Sequence, residues 1–427
     1  MSLSEPLPPA SPRQEPDFPA YMEVIHRIPV SDPAEVDGTV ADWLLSGDAS
    51  AKGLAELLDG LMTRLVAAGL PFDRATFHIG TLHPQVLGFT ANWNPRRGTC
   101  TELRVNVHVR ETPDFKLSPL RPVIDERTAI RLNPQDPDTA MQFPMMQSLA
   151  ADGFTDYWAF PVPHARSFHS AMTVATLARG GFKADVLAVV KELLPALALN
   201  LDIIALGRIA ENVLTAYLGE RSGGRVLAGE IRRGSGELID AIVWVSDMRD
   251  YTGLSDRLPG PDVIRLLNAY FERLVEAVEA HGGEVLKFIG DGMLAVFPVT
   301  DATPAADSAA AALRAARAAL AAIRTLNGSD GDALKIATEW RPLDMAIALH
   351  RGSVFYGNIG SADRLDFTVT GPAVNLAARV EPLSKETGRR LLTTAAFAEL
   401  VDAPLHPLGR FSLRGVAQPV EIFAARE

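Results

Sequence analysis

The chain has 427 residues, 47% of them hydrophobic and 22% charged, ordinary globular proportions at a length that exceeds one core and points to two domains. A formal charge of −11 argues against a nucleic-acid or anionic-membrane binder, so a polyanionic substrate would need local cations or metal ions. One cysteine, Cys100, excludes an internal disulfide framework and fits a reducing cytoplasm.

Residues 1–19 carry six prolines and no apolar signal region, which predicts a disordered tail. Residues 20–182 follow as an N-terminal α+β domain. Leucines at 54, 57, 58, 61 and 65 predict a helix over Leu54–Ala68, ended by Gly69. Strands are expected at Ala75–Ile79, Val86–Trp93, Leu103–Val109, Tyr157–Val162 and Ser170–Thr176, with a helix near Ala140–Ala151. The expected layout is a central antiparallel sheet flanked by helices, similar to GAF or PAS domains at the level of fold analogy. His78, His83, Cys100, His164 and His169 match no compact metal-ligand spacing, and Trp93, Tyr157 and Trp158 read as core. A regulatory domain is the reading for this half, and its signal is not legible.

A helical stripe runs from Lys183 to Leu218, with Pro195 expected to kink it or to separate two helices. Its most apolar stretch, Leu193–Leu206, is short for a bilayer and contains Asn200 and Asp202, so no membrane segment is expected. Gly219–Glu237 is rich in glycine and charge and reads as a connector, so residues 183–237 form the connecting region. The Ala-rich segment Ala305–Leu326 is expected to be a helix, and Asn327–Trp340 a loop.

The chemistry concentrates in residues 238–427. Ala241–Val245 is a buried-type strand that delivers Asp247 to its end. A helix follows from Pro261, closed by His281-Gly282-Gly283. Glu284–Phe297 reads as two strands joined at Gly290-Asp291-Gly292, where Asp291 alone would be a turn former. Two carboxylates at adjacent strand ends can converge on hard cations, which take oxygen ligands. Further on, Met345–His350 reads as a strand and Arg351–Gly360 as a glycine-rich loop. Asn375 and Arg379 stand four apart, on one helix face.

Val-Ser-Asp247-Met-Arg-Asp-Tyr-Thr, Lys287-Phe-Ile-Gly-Asp291, the loop from His350 to Gly360, and Gly371-Pro-Ala-Val-Asn375-Leu-Ala-Ala-Arg379 appear in this order. The sequence resembles the class III adenylate/guanylate cyclases in these motifs, with Val245 where the family has phenylalanine. The resemblance implies a C-terminal βαββαβ-type α+β catalytic domain acting as a head-to-tail homodimer with two composite sites. It implies that Asp247 and Asp291, assisted by the Met248 carbonyl, hold two divalent cations, Mg²⁺ or Mn²⁺. It implies that Asn375 positions the ribose and that Arg379 neutralises charge on the α-phosphate. Lys287 and Thr368 match base-reading positions and favour ATP, since lysine only donates and guanine N1 carries a hydrogen. Arg414, in Leu413-Arg414-Gly415, matches a triphosphate-contacting position. A guanylate or pyrimidine-nucleotide cyclase, and a degenerate nucleotide-binding or dimerisation module, remain the alternatives.

Overall fold

In the computed structural model, which describes residues 18–163, 170–330 and 342–426, the chain divides into units spanning 1–216 and 217–427. The first unit is built on strands β1 (Met22–Pro29), β2 (Arg74–Gly80), β3 (Val86–Asn94), β4 (Thr99–Asn106), β5 (Ile130–Leu132), β6 (Asp156–Val162) and β7 (Ser170–Thr176). They form a seven-stranded sheet in the order β1-β4-β3-β2-β7-β6-β5, and every pairing is antiparallel. Alternation decides its two faces. Phe77, Ala91, Trp93 and Met172 turn toward the helices Leu54–Ala67 and Ala184–Leu218, while Tyr157, Ala171 and Ala175 meet the helices Leu120–Asp125 and Pro144–Ala151. The expected α+β layout is present.

Several local expectations shift for identifiable reasons. The strand expected at Leu103–Val109 lies earlier, because the Asn106 side chain accepts from His108 N and caps a 3₁₀ turn over Val107–Glu111. The helix expected over Ala140–Ala151 is two helices, Pro137–Gln142 and Pro144–Ala151. Pro144 forces Phe143 into extended backbone and breaks the run. The strands β1 and β5 escape the pattern because they are short or mostly exposed edges. The tail expected over residues 1–19 lies almost wholly outside the described residues, as do His164 and His169.

Pro195 neither splits nor ends its helix, which runs unbroken over Ala184–Leu218. By length and composition this helix is apolar enough to cross a membrane, a longer segment than the Leu193–Leu206 stretch seen in the sequence. Its polar groups are used within the first unit. Asn200 Nδ2 donates to Leu44 O at 2.8 Å, and Arg208 pairs with the buried Glu102 at 2.9 Å. The segment read as a connector contains a helix, Glu220–Leu227, in the second unit. Its buried Ser222 donates from N and Oγ to Glu284, which also accepts from the Tyr356 hydroxyl. These bonds satisfy a buried carboxylate and hold the helix against the sheet of the second unit.

The second unit holds β8 (Gly236–Met248), β9 (Glu284–Ile289), β10 (Gly292–Pro298), β11 (Met345–Gly360), β12 (Leu365–Thr370), β13 (Leu391–Thr394), β14 (Leu405–Phe411) and β15 (Val420–Ala425). The order is β14-β15-β13-β11-β8-β10-β9, with β12 paired to β11. Only β11–β13 is parallel. Ile242, Trp244 and Met248 face the helices Gly260–Glu279 and Ala305–Thr325; Ala241 and Val243 face the helix Pro372–Val380. Helices therefore cover both faces.

The glycine-rich loop expected at Arg351–Gly360 is instead a continuation of β11, which runs without interruption from Met345 to Gly360. Its glycines serve close approach within the sheet. A Cβ at Gly357 would meet Ser235 O at 2.3 Å, and one at Gly352 would meet Ala373 Cβ at 2.7 Å. The loop expected over Asn327–Trp340 begins as a single π turn, Leu326–Asp330, and the rest lies outside the described residues.

Candidate active site

β8 is hydrogen-bonded on one side to β11 and on the other to β10, so its end is fixed from both flanks. Asp247 comes at that end. Asp250, in left-handed backbone at φ 58°, then turns the chain into a short helix, Tyr251–Ser255. The β9–β10 hairpin reverses through Gly290, whose φ of 64° suits glycine, and its tip carries Asp291. Because Met293 stands opposite Ser246, the tip falls beside Asp247. A side chain at Gly292 would come within 3.1 Å of Asp247 Oδ1, so glycine is required for the approach.

The Asp291 carboxyl group lies close enough to Asp247 to act on its proton affinity. The pKa of Asp247 is pushed up to about 7, first by burial, then by the charges of Asp291 and Glu381; Lys385 works against them. Burial also raises Glu381, opposed by Lys385, Ser384 and Arg249. Tyr270 approaches from the helix Gly260–Glu279. It is fully buried, its hydroxyl has no hydrogen-bond partner among the described residues, and burial followed by the charges of Asp247, Asp291 and Glu381 holds it protonated. The sequence reading missed Glu381 and Tyr270. Tyr270 carries the helical spacing of a core residue, and Glu381 lies just past a helix end with no motif signal.

No group of three or more His, Cys, Asp or Glu side chains arranged to hold a metal exists among the described residues. Glu381 acts on Asp247 through its charge. Met248 stands opposite Met345 with its side chain in the core, so only its backbone is available to the site.

Lys287, on β9, forms an ion pair with Asp366 on β12. Asp366 and Thr368 lie two apart on a strand and share a face, which brings Lys287 and Thr368 to one neighbourhood. The Thr368 hydroxyl is buried and has no hydrogen-bond partner among the described residues. Such an orphan in a well-packed sheet is uncommon.

Asn375 and Arg379 share the outward side of the helix Pro372–Val380, whose Ala373, Ala377 and Val380 are buried. The Arg379 guanidinium lies over the turn at Gly415, where an added Cβ would sit 3.4 Å from Nη2. The structure thus brings Arg379 to the exposed Arg414 turn. Neither arginine makes an ion pair among the described residues. Nor does any hydrogen bond or ion pair among them join Asn375 or Arg379 to Asp247 or Asp291.

The raised proton affinity of Asp247 has a stability consequence. Between its ordinary pKa of 3.8 and about 7, the unfolded chain releases this proton and the folded chain keeps it. Stability is therefore lost as pH rises through that window, and the penalty stays above it. In cation-free buffer, Asp247→Asn should melt higher than wild type at about pH 8, and the gap should close near about pH 4. Calorimetry in chelator checks this; a variant that melts lower at the higher pH, or by the same margin at both, refutes the assignment.

The adenylate and guanylate cyclase catalytic domain family matches residues 238–423. An adenylate cyclase of Anabaena cylindrica is 31% identical over 176 residues, 41% of this chain and 33% of its own length. The chain spans about a third of the length of the curated relatives it matches. Among solved structures, the adenylyl cyclase CyaB of P. aeruginosa is 25% identical, with 45% of this chain and 96% of that one covered at a TM-score of 0.41. The guanylyl cyclase Cya2 is 29% identical, with 44% and 93% covered at a TM-score of 0.38. The family match lies over residues 238–423, so it is the C-terminal unit of this chain that is similar to the class III adenylate/guanylate cyclases.

Proposed function

We propose that the chain converts ATP to 3′,5′-cyclic AMP and pyrophosphate at two composite sites of a homodimer. The observation that carries this reading is the Asp247–Asp291 pair, two carboxylates close together at adjacent strand ends. Two carboxyl groups this close, one of them held protonated to about pH 7, form an oxygen-rich site with excess negative charge, which suits a hard divalent cation. Asp247 and Asp291 would hold Mg²⁺ or Mn²⁺, with the Met248 backbone assisting. Bound there, the cations supply Lewis acidity toward the ribose 3′-hydroxyl and the phosphate oxygens.

The bond formed is 3′-oxygen to α-phosphorus, and the bond broken joins that phosphorus to the bridging oxygen of the leaving pyrophosphate. The hydroxyl proton passes to solvent. Asn375 would orient the ribose. Arg379, an unpaired guanidinium, would meet the charge that grows on the α-phosphate, and Arg414 the outer phosphates. Thr368 would accept from the adenine amino group and Lys287 would donate to the ring. The ATP substrate and the reduced, buried Cys100 support a cytoplasmic setting. The N-terminal unit would regulate the reaction in response to a signal.

Asp366 favours a second reading. Its carboxylate, beside the base-reading pair, is the acceptor that a guanine N1–H would seek. One assay separates the two. The purified chain is given ATP, GTP, CTP or UTP with Mn²⁺ or Mg²⁺, and the cyclic products are quantified. ATP should be preferred over GTP by about tenfold or more, and Lys287→Glu combined with Thr368→Cys should erase that preference. A preference for GTP overturns the adenine reading, and no cyclic product from any nucleotide overturns the enzymatic one.

A further inference from the structure

The N-terminal sheet carries an unusual row of polar side chains on the face turned away from Leu54–Ala67. Register places them exactly enough to map. Thr76 of β2 stands between Asn92 of β3 and Thr173 of β7; His78 stands opposite Thr90; Arg74 and Tyr157 stand in line on either side of Ala175. Alternation puts all of them on one face. The equivalent positions on the other face are Phe77, Ala91 and Trp93, packed in the core.

Most of these groups satisfy one another. Thr76 Oγ1 lies 2.7 Å from Thr173 Oγ1 and 2.8 Å from His78 Nε2, and His78 Nδ1 lies 2.9 Å from Thr90 Oγ1. Two groups are left over. Asn92 Oδ1 is buried without a partner. Arg74 makes no hydrogen bond, ion pair or ring contact among the described residues, although protein surrounds it closely. The charges that reach it are those of Tyr157, Arg97 and the exposed Asp152, none as an ion pair. His78, kept neutral by burial and then by the charge of Arg74, cannot compensate it. Arg74, His78 and Asn92 nevertheless keep some accessible surface, so space opens in front of the sheet.

An enclosed guanidinium without an acid is costly, because burying an ion is offset only by a partner. No such partner lies among the described residues. We infer that this polar face binds a small oxyanion, a carboxylate or phosphate group, with the Arg74 fork meeting its oxygens and the Thr76–Thr173 and Tyr157 hydroxyls flanking it. Arginine suits that ligand because its planar fork matches two oxygens.

The test uses the full chain and two probes, acetate and inorganic phosphate, titrated calorimetrically in parallel into wild type and Arg74→Met. A background carrying Arg379→Ala and Arg414→Ala removes both guanidinium groups assigned to phosphate at the nucleotide site. One probe should bind, identifying the ligand as carboxylate or phosphate, and Arg74→Met should weaken it about tenfold or more. Without anion, Arg74→Met should melt higher than wild type, because an unpaired enclosed charge is gone. Arg74→Lys, which keeps the charge but loses the fork, should fold and still bind more weakly than wild type. Binding of neither probe, equal binding in Arg74→Met, or a lower melting temperature for that variant overturns the inference. None of these outcomes bears on cyclase turnover, which rests on other residues.

Discussion

Replacing Asp291 with alanine, or Asp247 with asparagine, should reduce cyclic nucleotide formation about a thousandfold or more while the protein stays folded. Both side chains are partly exposed at strand ends, so neither substitution opens a cavity in the core. The Asp247 change should even stabilise the cation-free protein at neutral pH, since it removes a carboxyl group that burial and Asp291 disfavour in its charged form. Lost turnover with gained stability is the pattern expected where a site stores charge repulsion for use by a ligand. Turnover by product assay and melting by calorimetry on the same preparations check both halves. Near-wild-type turnover in either variant would remove the pair from the mechanism.

Mixing two inactive variants, Asp291→Ala and Arg379→Ala, should restore about a quarter of wild-type activity. Within one chain, Asn375 and Arg379 sit on the helix Pro372–Val380 and Arg379 lies against the Gly415 turn, with no described bond to the aspartate pair. In the proposed two-fold dimer, the aspartates of one protomer face the Asn375–Arg379 pair of its partner. A mixed dimer then has one site with both defects and one with neither. Random exchange makes about half of the dimers mixed, each with one of two sites working, hence about a quarter. Specific activity should also rise with protein concentration. With subunit exchange shown independently, no recovery would mean that each site is built from a single chain.

The sequence carried the strands and helices wherever burial is one-sided or complete. Leu54–Ala67, Gly260–Glu279, Ala305–Thr325 and the β9–β10 hairpin were all legible, because local periodicity and glycine placement act over a few residues. It also ordered the motifs that name Asp247, Asp291, Asn375 and Arg379. It failed where an element depends on a distant partner. The segment Arg351–Gly360 has the glycines of a loop, yet it is a strand because β8 and β12 pair with it along its length. Glu220–Leu227 looks like a connector, yet Glu284 and Tyr356, far along the chain, bind its Ser222 and hold it in place.

Charge is the property that only the tertiary structure decided. In the sequence Asp247 and Asp291 are 44 positions apart (from 247 to 291), and each is an ordinary acid. The register of β8 with β10 sets them close together, adds the field of Glu381, and raises the proton affinity of Asp247. Thr368 is a common strand residue until packing seals its hydroxyl away from every donor and acceptor among the described residues. Arg74 becomes unusual only when the fold encloses it without an ion pair among the described residues. Residue type and spacing state which chemistry a chain can perform, whereas desolvation and the placement of neighbouring charges, which act through space, determine which of its groups are primed to perform it.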